Sequence, residues 1–144
     1  MHPNIHFSIK LLILIALTVI FQWSFAQDLP HLPEAFDAGW KGEKPCQVLY
    51  ETDSMRVARC SFAPGIGHEK HFHYPHFGYV LEGGTMSITN EAGETQVRQV
   101  TTGKSWSTSE ITIHEAVNTG DKSTSYLIIE PRLNEAQSDQ LKSQ

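Results

Sequence analysis

Four of the chain's eight histidines, His68, His71, His73 and His76, fall within nine positions of the stretch Gly65-Ile-Gly-His-Glu-Lys-His-Phe-His-Tyr-Pro-His-Phe-Gly-Tyr-Val-Leu-Glu-Gly83. Neutral imidazole is the commonest protein ligand for divalent transition metals. His71 and His73 are two apart in a run that reads as a strand, so both side chains leave one face and can converge on a single ion. Two histidines so placed also occur as half-buried, hydrogen-bonded core residues, and the pair alone does not decide between these roles. His68, beside Gly67 and ahead of Glu69 and Lys70, reads as a loop residue that is exposed or orients a ligand through its second nitrogen. Glu69 and Lys70 themselves read as a solvated pair. No serine or cysteine nucleophile motif, phosphate-binding glycine loop or paired acidic motif competes with the histidines.

The elements that must position these residues are short. Runs rich in Val, Ile, Tyr and Thr at 47–51, 55–62, 70–73, 77–81, 86–89, 96–101, 111–117 and 125–129 each end in turn residues. Pro64-Gly65, Gly83-Gly84, Asn90-Glu-Ala-Gly93, Thr102-Gly103 and Asn118-Thr-Gly-Asp121 supply the positive-φ positions and Asx turns that reverse a chain. Eight such runs predict an all-β sandwich or barrel over 46–132. Residues 27–45 contain Pro30, Pro33, Gly39, Gly42 and Pro45 and read as an irregular, edge-covering arm, while 133–144 reads as a polar tail, frayed helix or disorder.

Residues 11–21 are apolar apart from Thr18, follow Lys10 and precede Ser24-Phe25-Ala26. That pattern predicts a signal peptide over 1–26 and an exported, periplasmic or extracellular protein, the run being short of the roughly 20 residues that span a bilayer. The remaining 118 residues suffice for one domain and hold sixteen acidic residues against ten Lys and Arg, a formal charge of −6. This balance excludes a nucleic-acid groove, which needs clustered cations. Cys46 and Cys60 flank Thr52-Asp53-Ser54, and a hairpin centred on Asp53 would set them opposite each other. A cross-strand disulfide and two small buried apolar side chains are both open, and the second is preferred because the register is uncertain by a few residues.

From Pro64 onward the chain resembles the cupin superfamily, whose first motif runs glycine, five residues, His-x-His, three or four residues, glutamate, six residues, glycine. Gly65, His71, His73 and Gly83 fit that frame, and Tyr79-Val-Leu-Glu-Gly83 is typical of small single-domain members. In the second motif Gly103, His114 and Asn118 fall at the required intervals, with Ser109 in place of proline and Ile111 in place of glycine. No glutamate stands at the first motif's third ligand position; counting back seven from Gly83 lands on His76. The resemblance covers about residues 56–131 and implies a cupin-type double-stranded β-helix, or jelly-roll barrel, with an ion held near one mouth. It implies the ligand set His71, His73, His76 and His114, around one divalent transition metal ion, with Fe, Ni, Zn, Cu and Mn undistinguished.

The resemblance further implies a metal-dependent enzyme, a dioxygenase or an isomerase or lyase, acting on a small oxygen-bearing molecule. The alternative it leaves open is a non-catalytic cupin that senses or sequesters a small ligand. Tyr79 and Trp106 are candidates for the barrel mouth, with plain core as their ordinary alternative, and Asn118 is expected to bond backbone groups after its turn. Small proteins of this kind often pair as homodimers through sheet faces or swapped terminal strands, and the arm at 27–45 is placed to serve that role.

Overall fold

The computed structural model describes residues 32–142, so the signal segment at 1–26 and the start of the arm lie outside the described residues. Nine strands follow in order: β1 Cys46–Glu51, β2 Met55–Phe62, β3 Gly67–His73, β4 His76–Glu82, β5 Gly84–Asn90, β6 Thr95–Val100, β7 Ser105–Thr108, β8 Thr112–Asn118 and β9 Thr124–Pro131. A helix, α1, spans Glu135–Lys142. The strands form a five-stranded sheet, β1-β2-β9-β4-β7, and a four-stranded sheet, β3-β8-β5-β6, with antiparallel pairing throughout. This is the double-stranded jelly roll that the cupin resemblance implies, and it agrees with the all-β sandwich or barrel read from the strand runs.

The alternation of side chains builds the inside of the barrel. In β2, Ala58, Cys60 and Phe62 are buried and alternate with exposed Arg59 and Ser61; in β4, His76, Gly78 and Val80 are buried and alternate with exposed Phe77 and Tyr79. Phe62, Met86, Ala116 and Ile128, contributed by both sheets, meet in one core with Ala35 and Phe36 of the arm. Each large apolar side chain so buried contributes about 1.5–3 kcal/mol. The described part of the arm is thus a piece of the core as well as a cover: the Ala35 N–H donates to the Phe72 carbonyl at 2.9 Å.

Two expectations need correction. The eight runs become nine strands, because Ser105–Thr108 pairs with β4 as an edge strand, and a four-residue stretch with one apolar side chain carries no legible alternation. Cys46 and Cys60 are joined by a disulfide and are not free apolar side chains. Register is the reason. The Thr52 hydroxyl accepts from the Ser54 and Met55 amides and tightens the turn, and despite a bulge between Val48 and Tyr50 the hairpin pairs Cys46 with Cys60. The C-terminal tail is ordered into α1, whose Ser138 is buried and hydrogen-bonded to the Tyr74 hydroxyl at 2.7 Å.

Candidate metal centre

The register between β3 and β8 sets His71 opposite His114 on neighbouring strands, and His73 follows on the same face of β3. The donor atoms of His71, His73 and His114 all lie within 4.8 Å of one another. His71 and His73 are buried. His71 Nδ1 donates to the Glu69 carbonyl at 2.6 Å, and since a carbonyl only accepts, that nitrogen carries the hydrogen and Nε2 keeps its lone pair. Nδ1 of His73 lies 2.5 Å from Oε1 of Glu130, a buried carboxyl brought in by β9. The two Nε2 atoms then face each other at 2.9 Å.

Two protonation patterns satisfy this arrangement. With Glu130 protonated, its hydroxyl donates to His73 Nδ1 and the His73 Nε2–H donates to His71, completing a chain that ends on Glu69. With Glu130 ionised, both histidines present lone pairs to the same point, and nothing but a cation relieves them. Burial pushes Glu130 up to about 8, with the nearby Arg56 opposing and Glu34 reinforcing that shift. A cation held by both Nε2 atoms would need Glu130 ionised, so its binding at neutral pH would release the carboxyl proton. Donors bound at about 2.1 Å and at right angles on one ion are about 3 Å apart, so the nitrogen separation fits a divalent transition metal. Burial also holds the imidazoles neutral: His71 falls to about 2 with help from His68 and His114, His114 falls to about 4 with help from His68 and His76, and His73 is lowered well below its ordinary value.

His76 is placed differently. Its ring lies 4.5 Å from that of His73, and its donor atom groups with those of His73 and Glu130 instead of with His71 and His114. Nδ1 donates to the Tyr74 carbonyl at 2.9 Å, so the lone pair is on Nε2, where it accepts the Trp106 indole N–H at 3.2 Å. Gly78 makes that contact possible: a Cβ there would sit 2.2 Å from the indole. Burial lowers His76 from its ordinary value.

His73, His76 and His114 line a cavity of about 390 Å³ inside the barrel, walled mainly by apolar side chains that include Phe62, Met86, Ile88 and Ile128, while His71 is fully buried and does not line it. Trp106 lines it, whereas Tyr79 points outward and is exposed on the far side of β4. His68 corrects its sequence reading: it belongs to β3, is only 3% exposed and lines the cavity. A register shift between His68 and His71 reverses the parity of the strand, so that residues three apart both turn inward. Glu130 escaped the motif frame because it lies on a distant strand, although its place two residues beyond the buried Ile128 was a usable signal. Asn118, the last residue of β8, donates to the carbonyls of Phe62 and Lys122 and accepts from the Gly120 amide.

No family model matches the sequence, and no curated protein matches it. Among solved structures, a cupin domain from Bordetella pertussis Tohama I matches with a TM-score of 0.57 at 21% identity, covering 67% of this chain and 96% of that one. The fold is that of a cupin. The polyketide cyclase RemF from Streptomyces resistomycificus matches with a TM-score of 0.53 at 22% identity, over 68% of this chain and 70% of that chain. The cupin barrel places its histidine-rich face in the interior, where such a cluster can bind a metal ion.

Proposed function

We propose that this cupin holds one divalent transition metal ion through His71, His73 and His114, with His76 as the fourth ligand once its nitrogen leaves Trp106, and acts as an enzyme on a small oxygen-bearing molecule. The observation that carries the reading is the 2.9 Å approach of two buried imidazole nitrogens whose opposite nitrogens are held by Glu69 and Glu130. When bound, a divalent ion supplies Lewis acidity toward a substrate oxygen, the basis of dioxygenase, isomerase and lyase chemistry. Glu130 holds the His73 ring in place and, when ionised, raises its basicity. The apolar walls exclude water and strengthen every polar contact inside. RemF is an enzyme on this fold, which supports catalysis as a use of the barrel without naming the substrate.

A non-catalytic ligand-binding role is favoured by one observation: the carboxyl nearest the imidazoles, Glu130, is already engaged by His73 and lies 3.6 Å from Arg56, which leaves it poorly placed as a base. Export is part of the proposal, supported by the disulfide, which persists in oxidising compartments. Elemental analysis of untagged protein, followed by oxygen uptake and product analysis with small diols and keto acids, separates these roles. Stoichiometric metal with turnover supports the enzyme, stoichiometric metal with ligand binding alone supports the sensor, and absence of metal after growth in supplemented medium refutes both. His76→Ala distinguishes three ligands from four: unchanged affinity removes His76 from the set.

A further inference from the structure

The His68 imidazole is not among the donor groups of the proposed metal centre, yet it is 3% exposed, lines the cavity and has no hydrogen-bond partner for Nε2 among the described residues. Its hydrogen-bonding neighbours are the backbone carbonyls of Ala35 and Ala38 in the arm. Since Nε2 is unpartnered, Nδ1 is the nitrogen that can meet those backbone groups, and the tautomer with the hydrogen on Nδ1 is the one that satisfies them. That tautomer leaves a lone pair on Nε2. The His68 ring lies tilted against His71 with centroids 3.9 Å apart and against Phe62 at 6.1 Å, which restricts its turning. The bulge in β3 carries the residue inward so that this acceptor faces the cavity, a placement that a packing role alone does not require.

We propose that His68 is a ligand-binding residue, whose Nε2 accepts a hydrogen bond from the hydroxyl group of a small, otherwise apolar molecule lodged in the cavity. The class follows from the walls. Phe62, Met86, Ile88 and Ile128 favour an apolar body, such as a phenol or enol, and an acceptor nitrogen selects an O–H over an ether or a bare carbonyl. The inference deepens the proposed function and rests on it only for the orientation of the molecule, one oxygen toward the imidazole cluster and one hydroxyl toward His68. Removal of the donor hydrogen from such a ligand leaves the buried nitrogen unpaired, which is how a polar group inside an apolar pocket discriminates.

The test uses full-length protein carrying ¹⁵N-labelled histidine, prepared zinc-free and zinc-loaded and titrated with phenol and with anisole. In both forms phenol is expected to bind roughly 3- to 10-fold more tightly than anisole, the size of one neutral hydrogen bond, and to move the His68 Nε2 resonance. His68→Phe is expected to remove that preference while zinc content stays at the wild-type level; His68→Gln, which retains an acceptor, keeps part of it. Equal binding of the two probes, failure of phenol to enter, or an Nε2 resonance unmoved at saturation overturns the assignment. Loss of zinc from His68→Phe also overturns it, because the residue would then be a metal ligand. A wild-type protein that takes no zinc but still prefers phenol refutes the metal centre and upholds His68 as the hydroxyl acceptor.

Discussion

Replacing Glu130 by Gln should move the stability of the ion-free barrel and its metal affinity in opposite directions. The carboxyl is pushed from an ordinary 4.5 up to about 8 by burial, so at pH 7 the native state keeps it largely protonated while the unfolded chain ionises it. That difference is worth up to about 3 kcal/mol against the native state at pH 7. The sign follows from the raised value: below pH 4.5 both states are protonated and there is no penalty, and the native state loses stability progressively as pH rises from 4.5 through about 8. Gln has the same shape and its amide N–H can donate to His73 Nδ1 as the protonated carboxyl does, but it does not titrate. Wild type and Glu130→Gln should therefore melt together near pH 4 and diverge with rising pH, the variant gaining roughly 5–15 °C at pH 8. Its metal affinity should fall about 10- to 100-fold, the usual effect of losing a carboxylate behind a ligand histidine. Calorimetry of chelator-stripped protein and competition for zinc against a chromogenic chelator read the two effects. A variant that is less stable than wild type at pH 8, or one that binds zinc equally well, refutes the reasoning.

His71→Ala and His73→Ala should each lower metal loading by at least two orders of magnitude while far-ultraviolet circular dichroism stays that of a folded β protein; unchanged loading in both refutes the centre. Acid should destabilise the ion-free protein. His68 and His114 are held at about 4 and His71 at about 2, below the ordinary 6.5, so the unfolded chain takes up protons first and stability falls as pH drops below about 6.5. Chemical denaturation from pH 7 to pH 4.5 checks this, and a flat profile refutes buried neutral imidazoles. Gly78→Ala should drive Trp106 off His76, since the new Cβ would meet the indole at 2.2 Å from a backbone paired on both sides. The Trp106 emission, taken as the difference from Trp106→Phe, should shift to longer wavelength; an unchanged spectrum refutes the contact. Replacing both cysteines by Ser should cost about 3 kcal/mol for a loop of this length, measured by urea denaturation, and no loss would show that the disulfide constrains nothing.

Much of the barrel was legible because half-buried strands alternate, and β2 shows that alternation in its buried Ala58, Cys60 and Phe62. The His-x-His pair was legible for the same reason: two residues apart in a strand means one face. His114 came from motif spacing, and the strand pairing sets it opposite His71. The spacing argument treated His76 as equivalent to its neighbours, yet a ring at the right count can still be claimed by another partner, here Trp106.

By itself the sequence determined which residues would face inward in regular strands and that His71 and His73 would share one face, since periodicity is a local property of the chain. Tertiary structure decided the rest. The bulge that turns His68 into the cavity, the pairing that bonds Cys46 to Cys60, the edge strand that brings Trp106 to His76 and the placement of Glu130 behind His73 all depend on the register between strands. Register is a cooperative outcome of many cross-strand contacts, and one residue of slip reverses every side chain.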